Sequence, residues 1–174
     1  APNVEMKIDS VDPVNVPGEI LIKGANVFLG YFKNEEATKA VFTKDGWFRT
    51  GDMGVIDEDG CLFIKGRSKC MILGPSGQNI YPEEVETVIN SQPYVVDSLV
   101  VEDDGGLTGL IYPDFAQGAK DGMYQDTFIK YIEDTLPELN KELPNYAKLK
   151  KIEVMSEDFE RTPKKSIKRY LYQR

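Results

Sequence analysis

The sequence predicts an α+β fold in two parts, a β-rich subdomain over residues 1–67 followed by a smaller α+β domain over residues 68–174. Short apolar segments bounded by glycines and acidic turns dominate the first part, which is typical of β-structure. Beyond residue 69, strands alternate with amphipathic helices. The pattern changes at residues 66–69 without a long Pro- or Ser-rich linker, so we expect a hinge at this boundary.

In the first part, the segment GEILIKG at residues 18–24 is predicted to form a strand, because glycines bound its apolar run. Residues 35–42 are predicted to form a short helix. Apolar residues at 55–56 and 61–64 flank the turn DEDG at 57–60, which is the pattern of a β-hairpin. This acidic turn lacks the spaced ligands and the distal glutamate of an EF-hand calcium loop, so we interpret it as a plain turn.

In the second part, residues 71–73 are predicted to form a strand that leads into a glycine-rich loop at 74–77. A helix is predicted to begin at Pro82, because proline suits the first helical turn and glutamates follow it near the positive end of the helix dipole. Two strands joined by a turn, a longer amphipathic helix and a late strand complete the domain. Their predicted bounds are 95–101, 107–112, 126–136 and 151–154.

The composition excludes several classes of function. The 174 residues carry a net charge of −8 and no basic stripe, so we expect no nucleic-acid partner. The chain has no histidine, which removes histidine-based triads and most zinc sites, and we predict no metal ligands. Cys61 and Cys70 show no metal spacing and favour a reduced, cytoplasmic setting. No apolar run approaches the ~20 residues that cross a bilayer. The start at Ala1 without methionine leads us to expect a fragment or a processed product.

The run WFRTGD at residues 47–52, followed by GRSK at 66–69, is the most informative chemical pattern. An acid on a glycine-bearing turn can accept two hydrogen bonds from a ribose diol, and a nearby guanidinium can reinforce them. Charge-assisted bonds of this kind contribute about 1.5–3 kcal/mol each. The alternative is a β-hairpin with polar turns and no ligand.

Four segments occur in a fixed order over about seventy residues, and together they resemble the motifs of adenylate-forming enzymes. This family includes acyl-CoA synthetases, luciferases and the adenylation domains of peptide synthetases. The segments are GEI (18–20) with GYF (30–32) and EAT (36–38), then DGWFRTGD (45–52), then DG (59–60) with GRSK (66–69), and finally GQNIYPEEVE (77–86).

The resemblance covers the back third of such an enzyme and implies a domain assignment. Residues 1–67 would be the last β-rich subdomain of the large N-terminal domain, and residues 68–174 would be the mobile C-terminal domain. The phosphate-binding loop and the acyl pocket of the family would lie upstream. The fragment alone is therefore expected to be inactive.

The resemblance also implies roles for individual residues. Asp52 would bind the ribose hydroxyls of ATP, with Arg67 as its cationic partner. Lys69 falls at the hinge position, where the alternative is an ordinary solvated lysine. Gly77 belongs to the loop that meets the pantetheine arm of CoA, where glycine lets the backbone approach a narrow tunnel. The alternative for Gly77 is a strand-to-helix turn that needs a positive φ.

The catalytic lysine of the family sits in a terminal TP-x-x-K pattern, and here the chain departs from it. The segment TPKKSIKR at residues 162–169 has Ser166 where the lysine is expected. Lys165 or Lys168 would supply the charge, and we favour Lys165 because it is adjacent. The alternatives are a basic exposed tail, a weakened adenylation step or another cation.

Within the family, NVFLGYFK at 26–33 and GPSGQN at 74–79 resemble fatty acyl-CoA synthetases. The resemblance implies that the parent protein is an AMP-forming fatty-acid–CoA ligase that uses ATP, Mg²⁺ and CoA. Its partners would be the fatty acid, CoA and its own N-terminal domain, and peripheral membrane contact through the upstream part stays open. One alternative is an acyl-AMP ligase that loads the pantetheine of a carrier protein. Another is a non-catalytic relative of the family.

Overall fold

A computed structural model describes residues 3–173 and confirms the mixed α+β fold. The chain divides into two compact units, Ala1–Cys70 and Met71–Arg174. None of the helices within residues 3–173 has the length and apolar character needed to cross a membrane.

The first unit contains a four-stranded antiparallel sheet in the order β1-β2-β3-β4. Strand β1 was not predicted, although Val4, Met6 and Ile8 alternate with charged residues, which is the period of a half-buried strand. The side chain of Asn34 caps the single helix of this unit by accepting from the Ala37 amide. The elements are β1 (Val4–Asp9), β2 (Gly18–Gly24), α1 (Glu35–Val41), β3 (Phe48–Ile56), β4 (Leu62–Arg67) and a 3-10 turn (Ser68–Cys70).

The second unit contains a short hairpin and a three-stranded sheet in the order β7-β8-β9. Strands β7 and β8 are antiparallel and are joined through Asp104 and Gly105, whose φ values of 49° and 70° suit a type I′ turn. Strand β9 is parallel to β8. The elements are β5 (Ile72–Leu73), β6 (Asn79–Ile80), α2 (Pro82–Asn90), β7 (Val95–Asp103), β8 (Gly106–Pro113), α3 (Phe115–Lys120), α4 (Gln125–Glu133), α5 (Leu136–Glu142) and β9 (Leu149–Val154), with 3-10 turns at Asn145–Ala147 and Arg169–Leu171.

The three-stranded sheet is covered on both faces, because successive side chains of a strand point to opposite sides. On β7, Val100 joins the larger core with α2, α4 and α5. Its neighbours Leu99 and Val101 join a smaller core on the other face. Phe159, from the C-terminal segment, completes that smaller core and is buried. The C-terminal segment is therefore part of the folded unit.

The single helix predicted over residues 126–136 is wrong, because the structure contains two helices. Helix α4 ends at Glu133 and α5 begins at Leu136. Pro137 explains the break, since it cannot donate to the carbonyl four residues earlier and its ring would clash there. In the first turn of a new helix, the same proline loses nothing.

Candidate functional site

Asp52 lies inside strand β3, which corrects the prediction that it sits on a turn. Glu19 of β2 pairs with Met53, while Leu21 pairs with Arg49, so residues 50–52 lie opposite a single residue of β2. This is a β-bulge, and Gly51 supplies its left-handed conformation with a φ of 74°. The glycine that indicated a turn in the sequence thus bends a strand.

Thr50 closes the bulge with two hydrogen bonds. Its hydroxyl donates to the carbonyl of Ile20 at 2.8 Å and accepts from the Asp52 amide at 3.0 Å. The bulge is also held by Glu19, which accepts from the Gly51 amide at 3.1 Å and pairs with Arg49 at 2.7 Å. Glu19 was not predicted to have a role, and its only signal in the sequence is its place in the GEI segment.

Arg67 pairs with Asp52 directly across the strands β3 and β4. Its Nη1 lies 2.5 Å from Oδ1 of Asp52 and donates to the Thr50 carbonyl at 3.3 Å. The Asp52 side chain remains 34 % exposed. The structure therefore brings the two predicted residues together, fifteen positions apart in the sequence, in a place that a ligand can reach.

Gly77 lies in the turn of the β5–β6 hairpin. Its φ is 78°, and its amide donates to the Gly74 carbonyl at 2.9 Å. A Cβ at this position would meet no atom within 4 Å, so the backbone conformation alone requires glycine here. This positive φ agrees with the alternative prediction for Gly77, a turn residue that needs such a conformation. The turn, however, joins two strands rather than a strand and a helix. Asn79 and Ile80 pair with β5 before α2 begins.

Lys69 is exposed and lies in the 3-10 turn that ends the first unit. The division between the two units follows Cys70.

The two lysine candidates of the terminal segment have different surroundings. Lys168 pairs with Glu160 at 2.9 Å, and that hydrogen bond raises the pKa of the Lys168 ammonium. Lys165 is exposed in a turn whose arms meet at a β-bridge between Arg161 and Ile167. Lys168 is therefore held by a carboxylate, whereas Lys165 is exposed on a turn.

Within residues 3–173, no three or more Asp, Glu, Cys or His side chains form a group that could hold a metal ion.

About half of the chain is similar in sequence to proteins that are named as acid–CoA ligases. It is 45 % identical over 95 residues to a 2-succinylbenzoate–CoA ligase of Bacillus cytotoxicus, a match that covers 55 % of this chain and 19 % of that protein. It is 44 % identical over 94 residues to the long-chain-fatty-acid–CoA ligase FadD15 of Mycobacterium tuberculosis, covering 54 % of this chain and 16 % of that protein.

Among solved structures, the O-succinylbenzoate coenzyme A synthetase MenE of Bacillus subtilis, in complex with ATP and a magnesium ion, has a TM-score of 0.78 and 30 % identity. The superposition covers 97 % of this chain and 34 % of that one. The chain thus spans about a third or less of the length of these relatives.

The family match covers the whole of the second unit, which is more than half of the chain. Residues 70–174 match the C-terminal domain of AMP-binding enzymes. Together with the order of the motifs and the Asp52–Arg67 geometry, this match shows that the chain belongs to the family of AMP-binding, adenylate-forming enzymes and contains their C-terminal domain.

Proposed function

We propose that the full-length protein is an AMP-forming fatty-acid–CoA ligase, which activates a carboxylate with ATP and then transfers the acyl group to CoA. The observation that carries this proposal is the Asp52–Arg67 pair on the β3 bulge. The fragment itself contributes the ribose-binding pair, the hinge and the lysine-bearing domain, and we expect it to be inactive alone.

The chemistry of the pair fits a ribose. A carboxylate offers two acceptor oxygens, and a ribose diol offers two donors with matching spacing. Arg67 keeps a positive charge beside the carboxylate, and the exposed fraction of Asp52 leaves room for a ligand. Asp52 would therefore hold ATP by its ribose, with Arg67 orienting the carboxylate. Mg²⁺ would accompany the phosphates, for which this chain has no assigned ligand.

Lys165 is our candidate for the lysine that neutralises developing charge during adenylation. It is exposed on the terminal turn, whereas Lys168 is paired with Glu160. A cation placed in advance where negative charge develops is a large source of rate enhancement. We also propose that Gly77 belongs to the loop that meets the pantetheine arm of CoA, and that Lys69 is the hinge between residues 1–67 and the mobile domain.

The fatty acid is the finer part of the proposal. It is supported by the segments at 26–33 and 74–79, which resemble fatty acyl-CoA synthetases, and by the similarity to FadD15. A relative named for a different acid, 2-succinylbenzoate, is at least as similar, with 45 % identity against 44 %. The experiment must therefore compare acids directly.

The test incubates the full-length protein with ATP, Mg²⁺, CoA and either palmitate or 2-succinylbenzoate, and measures acyl-CoA and acyl-AMP by mass spectrometry. We expect palmitoyl-CoA to form. Product from 2-succinylbenzoate alone would overturn the fatty-acid assignment but keep the ligase. Acyl-AMP without acyl-CoA would favour the carrier-protein alternative. No product from any acid would favour a non-catalytic relative, for which Ser166 is the supporting observation.

A further inference from the structure

The terminal turn that carries Lys165 has an unfavourable backbone conformation. Lys165 has a φ of 64°, a region that residues with a Cβ seldom occupy. The turn is closed by two backbone hydrogen bonds of 2.8 Å, from the Thr162 amide to the Ser166 carbonyl and from the Lys165 amide to the Thr162 carbonyl. Conformations of this kind persist only where the surroundings hold them.

Arg161 provides such a hold from the first arm of the turn. Its Nη1 donates to the Lys165 carbonyl at 3.3 Å. Its Nη2 donates to Asp97 of β7 at 2.7 Å and to Asp158 at 3.0 Å. Hydrogen bonds to Asp158 and Asp97 raise the pKa of Arg161, so the guanidinium stays charged. One side chain thus connects the carbonyl of the strained residue to the sheet.

Arg169 anchors the second arm of the same turn. It forms an ion pair with Glu86 of α2, which is 8 % exposed, and lies 3.7 Å from Glu83. The other carboxylate oxygen of Glu86 accepts from the Val100 amide on β7 at 2.7 Å. Arg161 therefore ties the first arm of the turn to β7, and Arg169 ties the second arm to α2.

We propose that Arg161 is a positioning residue for adenylation, which places Lys165 by donating to its backbone carbonyl while it is itself held by Asp97. The inference rests on the proposed function, because it takes Lys165 as the cation of the adenylation step. The family pattern has a lysine where this chain has Ser166. The anchored turn accounts for this difference, since it presents the neighbouring Lys165 in a defined place. A misplacement of about 1 Å in a catalytic group can cost about 100-fold in rate.

The kinetic test is a double-mutant cycle in the full-length enzyme, with adenylation measured by pyrophosphate exchange. We expect Arg161→Ala to lower the adenylation rate by about 10–100-fold, with the KM for ATP changed by less than about threefold. In the Lys165→Ala background, the same substitution should cost less than about threefold. Arg161→Lys should lose about as much as Arg161→Ala, because it keeps the charge opposite Asp97 but lacks the fork that also reaches the Lys165 carbonyl.

Lys151→Ala is the matched control, because Lys151 pairs with Asp103 at the other end of β7 at 2.9 Å. We expect this variant to keep the adenylation rate. A full additional loss from Arg161→Ala in the Lys165→Ala background would overturn the positioning role, as would an unchanged rate in the single variant.

A measurement on the 174-residue chain makes the placement testable without catalysis. We expect Arg161→Ala to increase hydrogen exchange at the Lys165 amide by about tenfold or more, and Lys151→Ala to leave it unchanged. Unchanged exchange in Arg161→Ala would overturn the inference even if the parent protein has no activity. Full adenylation by Lys165→Ala would instead overturn the assignment of Lys165 in the proposed function, and the positioning role with it.

Discussion

The ion pair between Asp52 and Arg67 is too exposed to contribute much to the stability of the fold. The Arg67 side chain is 58 % exposed and that of Asp52 is 34 % exposed. Pairs in such places contribute about 0–1 kcal/mol. The bulge around Gly51 also interrupts the regular pairing of β3 with β2. Both features make sense if the carboxylate serves a ligand.

Asp52→Ala in the full-length enzyme should therefore separate binding from stability. We expect kcat/KM for ATP to fall by about 10–100-fold, the scale of one or two lost charged hydrogen bonds. The unfolding free energy should change by less than about 1 kcal/mol. Asp59→Ala, at an exposed position of the β3–β4 turn, is the control and should alter neither quantity. Unchanged ATP kinetics in Asp52→Ala would rule out the ribose assignment.

Glu86 is a buried carboxylate, and its burial decides how it makes the unfolding free energy depend on pH. Burial raises the pKa of Glu86 above its ordinary value of 4.5, and the bonds to Arg169 and Val100 offset only part of this. The folded protein therefore holds this proton to higher pH than the unfolded chain does. From about pH 4.5 upward, until the raised pKa is passed, ionisation of Glu86 lowers the unfolding free energy.

The corresponding measurement compares the 174-residue chain with its Glu86→Gln variant by urea unfolding between pH 4.5 and 7. We expect the wild-type stability to fall relative to the variant as the pH rises. A relative increase would mean that the attraction of Arg169 outweighs the burial of the carboxylate.

At the scale of elements, the confirmed predictions rest on local patterns, whereas features that depend on contacts between distant residues could not be predicted from such patterns. The strand at Gly18–Gly24 and the helix starting at Pro82 follow from glycine bounds and a favourable first turn. The bulge in β3 was not predictable, because it depends on register with a distant strand. Nor were the anchors of the terminal turn, since Arg161 lies 64 residues from Asp97 and many other charged residues could have been its partner.

Helix α3 was missed although its start has a local signal. Asp114 caps it by accepting from the Gln117 amide at 2.9 Å, which is the pattern of a helix N-terminus. Gly118 lies inside the helix and argues against a helix in the sequence, because glycine weakens a helical interior by about 1 kcal/mol relative to alanine. Gly118 is present because a Cβ there would lie 2.9 Å from the ring of Phe128, which is 1 % exposed.

Gly118→Ala should consequently destabilise the second unit, despite the better helix propensity of alanine. Overpacking a buried site costs about 1–3 kcal/mol, which exceeds the gain of about 1 kcal/mol from propensity. Urea unfolding of the 174-residue chain measures the balance. The double variant Gly118→Ala/Phe128→Leu should be more stable than the sum of the two single changes predicts, because leucine removes the ring atoms. Additive effects would contradict this packing explanation.

At the scale of the whole molecule, the position of Lys69 carries a kinetic prediction. Lys69 lies in the 3-10 turn just before the division between the two units. Lys69→Pro in the full-length enzyme would restrict the backbone there, because proline fixes φ. We expect it to slow one half-reaction at least about tenfold more than the other. Pyrophosphate exchange and thioester formation from supplied acyl-adenylate measure the two steps. Equal losses would argue against a hinge.

The two units also differ in how much of a core they contain. Among residues 3–173, the two clusters of buried apolar side chains lie entirely within the second unit. In the described part of the first unit, the large apolar side chains that are buried are Ile8, Ile20 and Leu21. Leu29 and Phe32 of that unit are 100 % and 90 % exposed. Since burial of apolar surface supplies most of the stability, a segment of this size with so little core is marginal by itself.

We therefore expect residues 71–174, expressed alone, to unfold in urea with a cooperative transition, and residues 1–70 to show none. The covered sheet of the second unit buries residues from α2, α4, α5 and the C-terminal segment, which gives it a core of its own. A cooperative transition of residues 1–70 alone would show that its sheet is self-sufficient.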